Sequence, residues 1–134
     1  MEKKENLTDS PNATTERSIE FRRSEDITSG YANNFQLEPN PFDLKIIFGT
    51  LNYSESQKVI IDQFSSVNIS WSEIKLLIYF LRIHLVQYEA NNGKVKIPDA
   101  VMPEEPSDIS PEFDNAIGRE ILNSIKKFRK ELMD

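Results

Sequence analysis

The sequence predicts an α+β fold: a small antiparallel sheet of three or four strands packed on one long amphipathic helix, with a C-terminal helix after a proline-rich connector. Three observations carry this. Apolar residues alternate at period two between Tyr31 and Phe48, a helix-start signal stands at Ser70, and a second helical period follows Pro111. The links between the strand segments are too short to hold crossover helices, so the strands are expected to run antiparallel.

Residues 1–29 are mostly Glu, Lys, Ser, Thr and Asn, with isolated apolars such as Leu7, Ile19, Phe21 and Ile27. That is too little apolar surface to offset the entropy of ordering the chain, so the segment is expected to be a disordered tail. Within it Ile19 and Phe21 alternate with polar neighbours, and the alternative reading is an edge strand over Ser18–Arg22.

The core domain is expected over residues 30–98. Tyr31, Asn33, Phe35 and Leu37 share one side at period two. Pro39, Asn40 and Pro41 then break the chain, and Phe42, Leu44, Ile46 and Phe48 alternate again up to Gly49, which is expected to close the second strand. Asn52–Ser56 reads as a polar loop. Lys58–Phe64 is rich in β-branched residues and reads as a third strand, which Ser66–Ile69 either continues or follows as a short fourth.

Ser70 and Glu73 form the S-x-x-E pattern of a capping box, and Ile69 with Ile74 suits a hydrophobic staple across it. The helix is expected from Trp71 to about Asn91, with Gly93 ending it. Lys94–Ile97 reads as a possible short strand. Residues 99–109 hold Pro103 and Pro106 with Asp99, Glu104, Glu105 and Asp108, an acidic extended connector. Ser110 and Pro111 then suit the cap and first turn of a helix over 110–134, in which Phe113, Ile117, Ile121, Ile125, Phe128 and Leu132 recur three or four residues apart.

The first helix has an unusual distribution of apolar residues. At about 100° per residue, Ile74, Leu77, Ile78, Leu81, Leu85 and Tyr88 gather on one face, and Leu76, Tyr79, Phe80, Ile83 and Val86 gather on the opposite one. Polar residues are confined to two strips, Lys75 with Arg82 and Glu89, and Glu73 with His84. A small sheet covers only one face. The second must be covered by the C-terminal helix folding back, by another copy of the chain, or by a different protein. Leu76, Tyr79, Phe80, Ile83 and Val86 are therefore the candidate protein-interface residues.

Composition narrows the partner. Lys and Arg total 16 against 22 Asp and Glu, a formal charge of -6, so the summed field repels phosphate backbones and anionic lipid surfaces. Lys126, Lys127, Arg129 and Lys130 complement the negative end of the last helix dipole, which gives that basic cluster a structural reason. No nucleic-acid or membrane partner is expected, and no small-molecule substrate is evident. The run Ile74–Leu85 is too short to span a bilayer and contains Lys75, Arg82 and His84. There is no Cys, which fits a reducing compartment, and no apolar stretch behind Lys3 and Lys4 to serve as a secretory signal, so a cytoplasmic location is expected.

Nothing in the pattern points to an enzyme. The single His, His84, lies mid-helix, so neither a His-based triad nor a histidine metal cluster can be assembled. The four glycines, Gly30, Gly49, Gly93 and Gly118, form no phosphate-binding loop. Glu104, Glu105 and Asp108 fall in the connector and Glu112 and Asp114 at a helix start, where a solvated acidic face explains them. Trp71 reads as a packing anchor. No catalytic, cofactor-binding or metal-binding residue is assigned, and no cofactor is expected.

Tyr31-Ala32-Asn33-Asn34-Phe35, Asp43 through Phe48-Gly49, Trp71-Ser72-Glu73 with Lys75-Leu76-Leu77, Tyr88-Glu89, Gly93-Lys94 and Ile97-Pro98 together resemble the bacterial and archaeal family catalogued as domain of unknown function 3467. The resemblance covers roughly residues 30–103; it implies a fold and no catalytic residues. A likeness of element order alone links the chain to the export chaperone SecB. That likeness implies a tetrameric holdase whose apolar grooves receive unfolded clients. The expected function is thus a non-catalytic protein–protein interaction or oligomerisation module, with a SecB-like holdase as the alternative.

Overall fold

The computed structural model describes residues 17–134. It is an α+β arrangement: a three-stranded antiparallel sheet followed by a long helix, a single 3-10 turn and a C-terminal helix. The strands are β1 (Asn34–Pro39), β2 (Asp43–Tyr53) and β3 (Val59–Ser70), in the spatial order β1-β2-β3. The helices are α1 (Trp71–Asn92) and α2 (Ala116–Met133). Contacts divide the chain into two units, one made of Lys45–Asn68 with the chain up to Pro39, the other of Asn40–Leu44 with Ile69–Asp134.

In the first unit the expected tail lies partly outside the described residues. Its visible part, from residue 17, is exposed and contains no strand, so the edge strand considered over Ser18–Arg22 does not form. There Arg22 turns back on Glu20, 2.9 Å away, a fully local pairing. Ahead of β1, Asn33 donates its backbone N–H to the Gly49 carbonyl (3.2 Å) and accepts the Leu51 N–H on its side chain (2.7 Å). Thr50 donates its hydroxyl to the Tyr31 carbonyl at 3.2 Å. The Tyr31–Asn34 motif thus clips the approach to β1 along the side of β2.

β2 runs on through Gly49 to Tyr53, correcting the expectation that Gly49 ends it and that Asn52–Ser56 is a loop. The physical reason is that Gly49 serves close approach and not termination. It is buried, and a Cβ there would come within 2.9 Å of the Ile61 side chain and 3.1 Å of the Asp62 carbonyl. The β2–β3 reversal lies instead at Ser54–Lys58, closed by Gln57 N–H to Ser54 (2.9 Å) and Ser54 N–H to Lys58 (2.9 Å). Gln57 takes the left-handed position, φ 59°, where Gly or Asn is the usual choice. Ser66–Ile69 continues β3 and adds no fourth strand. Gln63 donates to Gln36 at 2.9 Å and Lys45 meets Glu38 at 3.6 Å, a polar cluster on a sheet face where alternation also places Ile47, Val59, Ile61 and Val67. By alternation Phe35, Leu37, Leu44, Ile46, Phe48 and Phe64 share the other.

In the second unit Asn40 organises the β1–β2 turn. Its side-chain oxygen accepts the N–H groups of Phe42 (2.8 Å) and Asp43 (2.9 Å), and its carbonyl accepts the indole N–H of Trp71 at 2.9 Å. The helix start matches the sequence signal: Ser70 is the N-cap, accepting the Glu73 N–H on its hydroxyl at 3.4 Å. Gly93 ends α1 at φ 89°, a conformation that favours glycine. Lys94–Ile97 is not a strand. The carboxylate of Glu89 takes the Val95 N–H (3.0 Å) and meets Lys94 (3.4 Å), so this backbone is bound to the helix end and not to a sheet.

α2 begins at Ala116 and not at Ser110, a second correction. Ser110 and Pro111 open a 3-10 turn over Pro111–Phe113, and Ser110 makes no side-chain cap. The cap of α2 is Asn115, whose side chain accepts the Gly118 N–H at 2.8 Å. The turn presses so closely on Gly118 that a Cβ there would run into the Phe113 carbonyl oxygen. Gly118 is therefore fixed by the turn and is not a stray helix breaker. Among the described residues Leu44 and Ile74, 8 % and 9 % exposed, are the only buried apolar side chains.

Candidate interaction surface

The elements of the second unit place the five candidate residues on one side of α1, as their spacing requires. Leu76 (46 % exposed), Tyr79 (59 %), Phe80 (50 %) and Val86 (65 %) are open, and Ile83 at their centre is half-buried. Tyr79 and Phe80 meet edge to face, their ring centroids 5.3 Å apart at 69°. Tyr79, Arg82, Ile83, Val86 and Gln87 line an open depression of 420 Å³. The opposite face is scarcely better covered: Leu77, Ile78, Leu81, Leu85 and Tyr88 are all exposed, and Ile74 alone is buried.

Magnitudes decide whether this matters. At about 200 Å² for a large side chain, those exposures leave roughly 450 Å² of apolar surface on the candidate face and a similar area on the other. The largest apolar patch on an ordinary monomer is about 300–600 Å², whereas a standard interface takes about 800 Å² from each partner. The candidate face alone, roughly 450 Å², reaches the range of the largest patches and supplies about half of a standard partner surface.

The C-terminal helix does not cover the face. It meets α1 through Arg82 and Glu131, 3.5 Å apart and both solvated, an ion pair of little energetic consequence. A cleft of 430 Å³ beside it is lined by Leu85, Glu89, Lys94–Ile97 and Glu131–Asp134 among others, and not by the candidate five. The side of α2 that is sheltered is Gly118, Leu122, Lys126 and Arg129. Arg129 donates to the Pro103 carbonyl at 3.3 Å, which ties the connector to that side. Ile117, Ile121, Ile125, Phe128 and Leu132 lie on an adjacent arc of about 80° and stay exposed. The sequence presented this arc as the packing stripe; the structure leaves it open.

Two polar residues near the surface, Arg82 and Glu89, have structural partners. Glu89, read from sequence only as part of a polar strip, is the residue that folds the chain back after Gly93. His84 is exposed on the other strip. Among the described residues no group of three or more His, Cys, Asp or Glu side chains could hold a metal ion, and no helix is long and apolar enough to cross a membrane. No protein-family model, curated protein or solved structure matches the chain, so the two likenesses described above rest on the quoted motifs and element order alone.

Proposed function

We propose that the chain is a non-catalytic protein–protein interaction or oligomerisation module whose contact surface is the α1 face Leu76, Tyr79, Phe80, Ile83 and Val86. The observation that supports this most strongly is the exposure of that face with α2 in place beside α1. Light scattering across a concentration series tests it. Self-association that Ile83→Asp abolishes, with helix content retained, is the expected result. A wild-type chain that stays monomeric and captures no partner through this face, or an Ile83→Asp chain that unfolds outright, would show that the face belongs to the chain's own core.

The alternative reading, a holdase, is favoured by one separate observation: the α2 stripe Ile117–Leu132 is open as well, a second apolar strip of the kind an unfolded client could occupy. Substoichiometric protein should then slow aggregation of an unrelated unfolded client. An inert result removes this reading and leaves the first untouched.

A further inference from the structure

The two edges of the sheet are defended very differently. The order β1-β2-β3 leaves one side of β1 and one side of β3 without a neighbouring strand among the described residues. An unpaired edge is a row of backbone donors and acceptors ready to accept another strand, and proteins usually blunt it with short length, Pro or Lys. β1 is blunted: it is 6 residues long, carries Glu38, ends at Pro39 and is followed by Pro41. β3 is 12 residues long, contains neither Pro nor Lys, and has Asp62 as its one charged residue. Val59, Ile60, Ile61, Phe64 and Val67 are all exposed along it.

We propose that the outer edge of β3 pairs with β3 of a second copy, antiparallel about a two-fold axis at Phe64, joining two three-stranded sheets into one of six strands. The occupant is a second copy because the strand is complementary to itself when it pairs about Phe64. Centred on Phe64, the pairing sets Val59 opposite the partner's Ile69, Ile61 opposite the partner's Val67, and the two Phe64 rings opposite each other, while Asp62 faces the partner's Ser66. β-branched and aromatic cross-strand pairs of this kind stabilise a sheet, and like charges placed opposite destabilise it. A register centred on Asp62 would oppose two carboxylates, and one centred on Gln63 would set Phe64 against the partner's Asp62. A two-fold axis also closes the assembly, so that no sticky edge remains to propagate a fibre. This contact rests on the strand edge and not on the α1 face, and it has its own readout.

The chain has no cysteine, so engineered ones report cleanly. Asp62→Cys and Ser66→Cys are made separately in the full chain, each checked for unchanged circular dichroism, then oxidised mildly alone and as an equimolar mixture. In the proposed register Cβ atoms of opposite residues lie about 4.5–5.5 Å apart, within disulfide reach. Two cysteines of the same variant are four residues apart along the strand, about 13 Å. The expected result is a covalent dimer from the mixture and from neither variant alone, surviving when Phe80→Asp is added to both. A mixture that gives no covalent dimer, or variants that cross-link alone as well as they do together, overturns the strand pairing. If no cross-link forms while Phe80→Asp still dissolves an oligomer, the helix-face reading stands and the strand proposal alone is refuted.

Discussion

Phe80→Ala is the sharpest quantitative test of the α1 surface. The ring is 50 % exposed, so roughly 100 Å² of a side chain of about 200 Å² remains to be covered by a partner. At about 25 cal/mol per Å² that burial is worth ~2.5 kcal/mol for each copy of the residue. If the partner is a second copy related by two-fold symmetry, the ring is used twice, and the loss approaches ~5 kcal/mol, between a thousandfold and ten-thousandfold in Kd. If the partner is a different protein it is used once, and the loss is nearer seventyfold. The monomer should suffer less, because half the ring is already open, it meets Tyr79 of the same helix, and alanine recovers a few tenths of a kcal/mol in helix propensity. Sedimentation velocity across concentration gives Kd, and thermal melts at a dilution where both proteins are monomeric give the fold cost. Phe21→Ala, at a ring 93 % exposed in the other unit, is the control. A Phe80→Ala chain whose Kd matches that of the control, or whose melting point falls so far that association cannot be read, refutes the assignment of this face to an interface.

Three further outcomes follow from local geometry. Gln57→Gly relieves a left-handed residue at the β2–β3 reversal, and a gain of about 0.5–1 kcal/mol, net of the greater freedom of glycine when unfolded, should raise the melting point by a few degrees. Gly118→Ala would gain about 1 kcal/mol of helix propensity on an open helix, but here its Cβ meets the Phe113 carbonyl; a lower melting point is expected, and a higher one would show that the 3-10 turn moves freely. Glu89→Ala removes the acceptor of the Val95 N–H and should cost about 0.5–1.5 kcal/mol, whereas Glu89→Gln keeps an acceptor and loses only a solvated ion pair; equal losses by chemical denaturation would refute the hydrogen-bond role.

The strand and helix types were legible because each carried a local signal strong enough to survive any packing. Period-two alternation marked β1 and β2, and Ser70 with Glu73 marked the start of α1. The errors came where one residue type serves two purposes. Gly49 looks like a strand end, yet it exists because Ile61 and Asp62 approach too closely for a side chain, a fact about the neighbouring strand. Ser110-Pro111 looks like a helix start, yet those residues are spent on a 3-10 turn and Asn115 caps the helix five residues later. Lys94–Ile97 alternates like a strand, but the Glu89 carboxylate already holds its backbone. The two-faced pattern of α1 was plain in the sequence because it depends only on spacing. That this face stays open was not, since it depends on which side of α2 is sheltered, and there Arg129 bonds a backbone carbonyl, that of Pro103, which no side-chain pattern encodes.

The indole of Trp71 also gives the protein its own optical gauge. It is the single tryptophan, it stands at the first residue of α1, and its N–H is held by the carbonyl of Asn40 in the turn that joins β1 to β2. Its emission therefore registers one event, the seating of that turn on the helix start. The four tyrosines are dispersed: Tyr31 and Tyr53 belong to the sheet unit, and Tyr79 and Tyr88 lie farther along α1. A red shift that precedes the loss of helical ellipticity on heating would mean that this joint opens before α1 melts. Coincident changes would mean that turn and helix part in a single step.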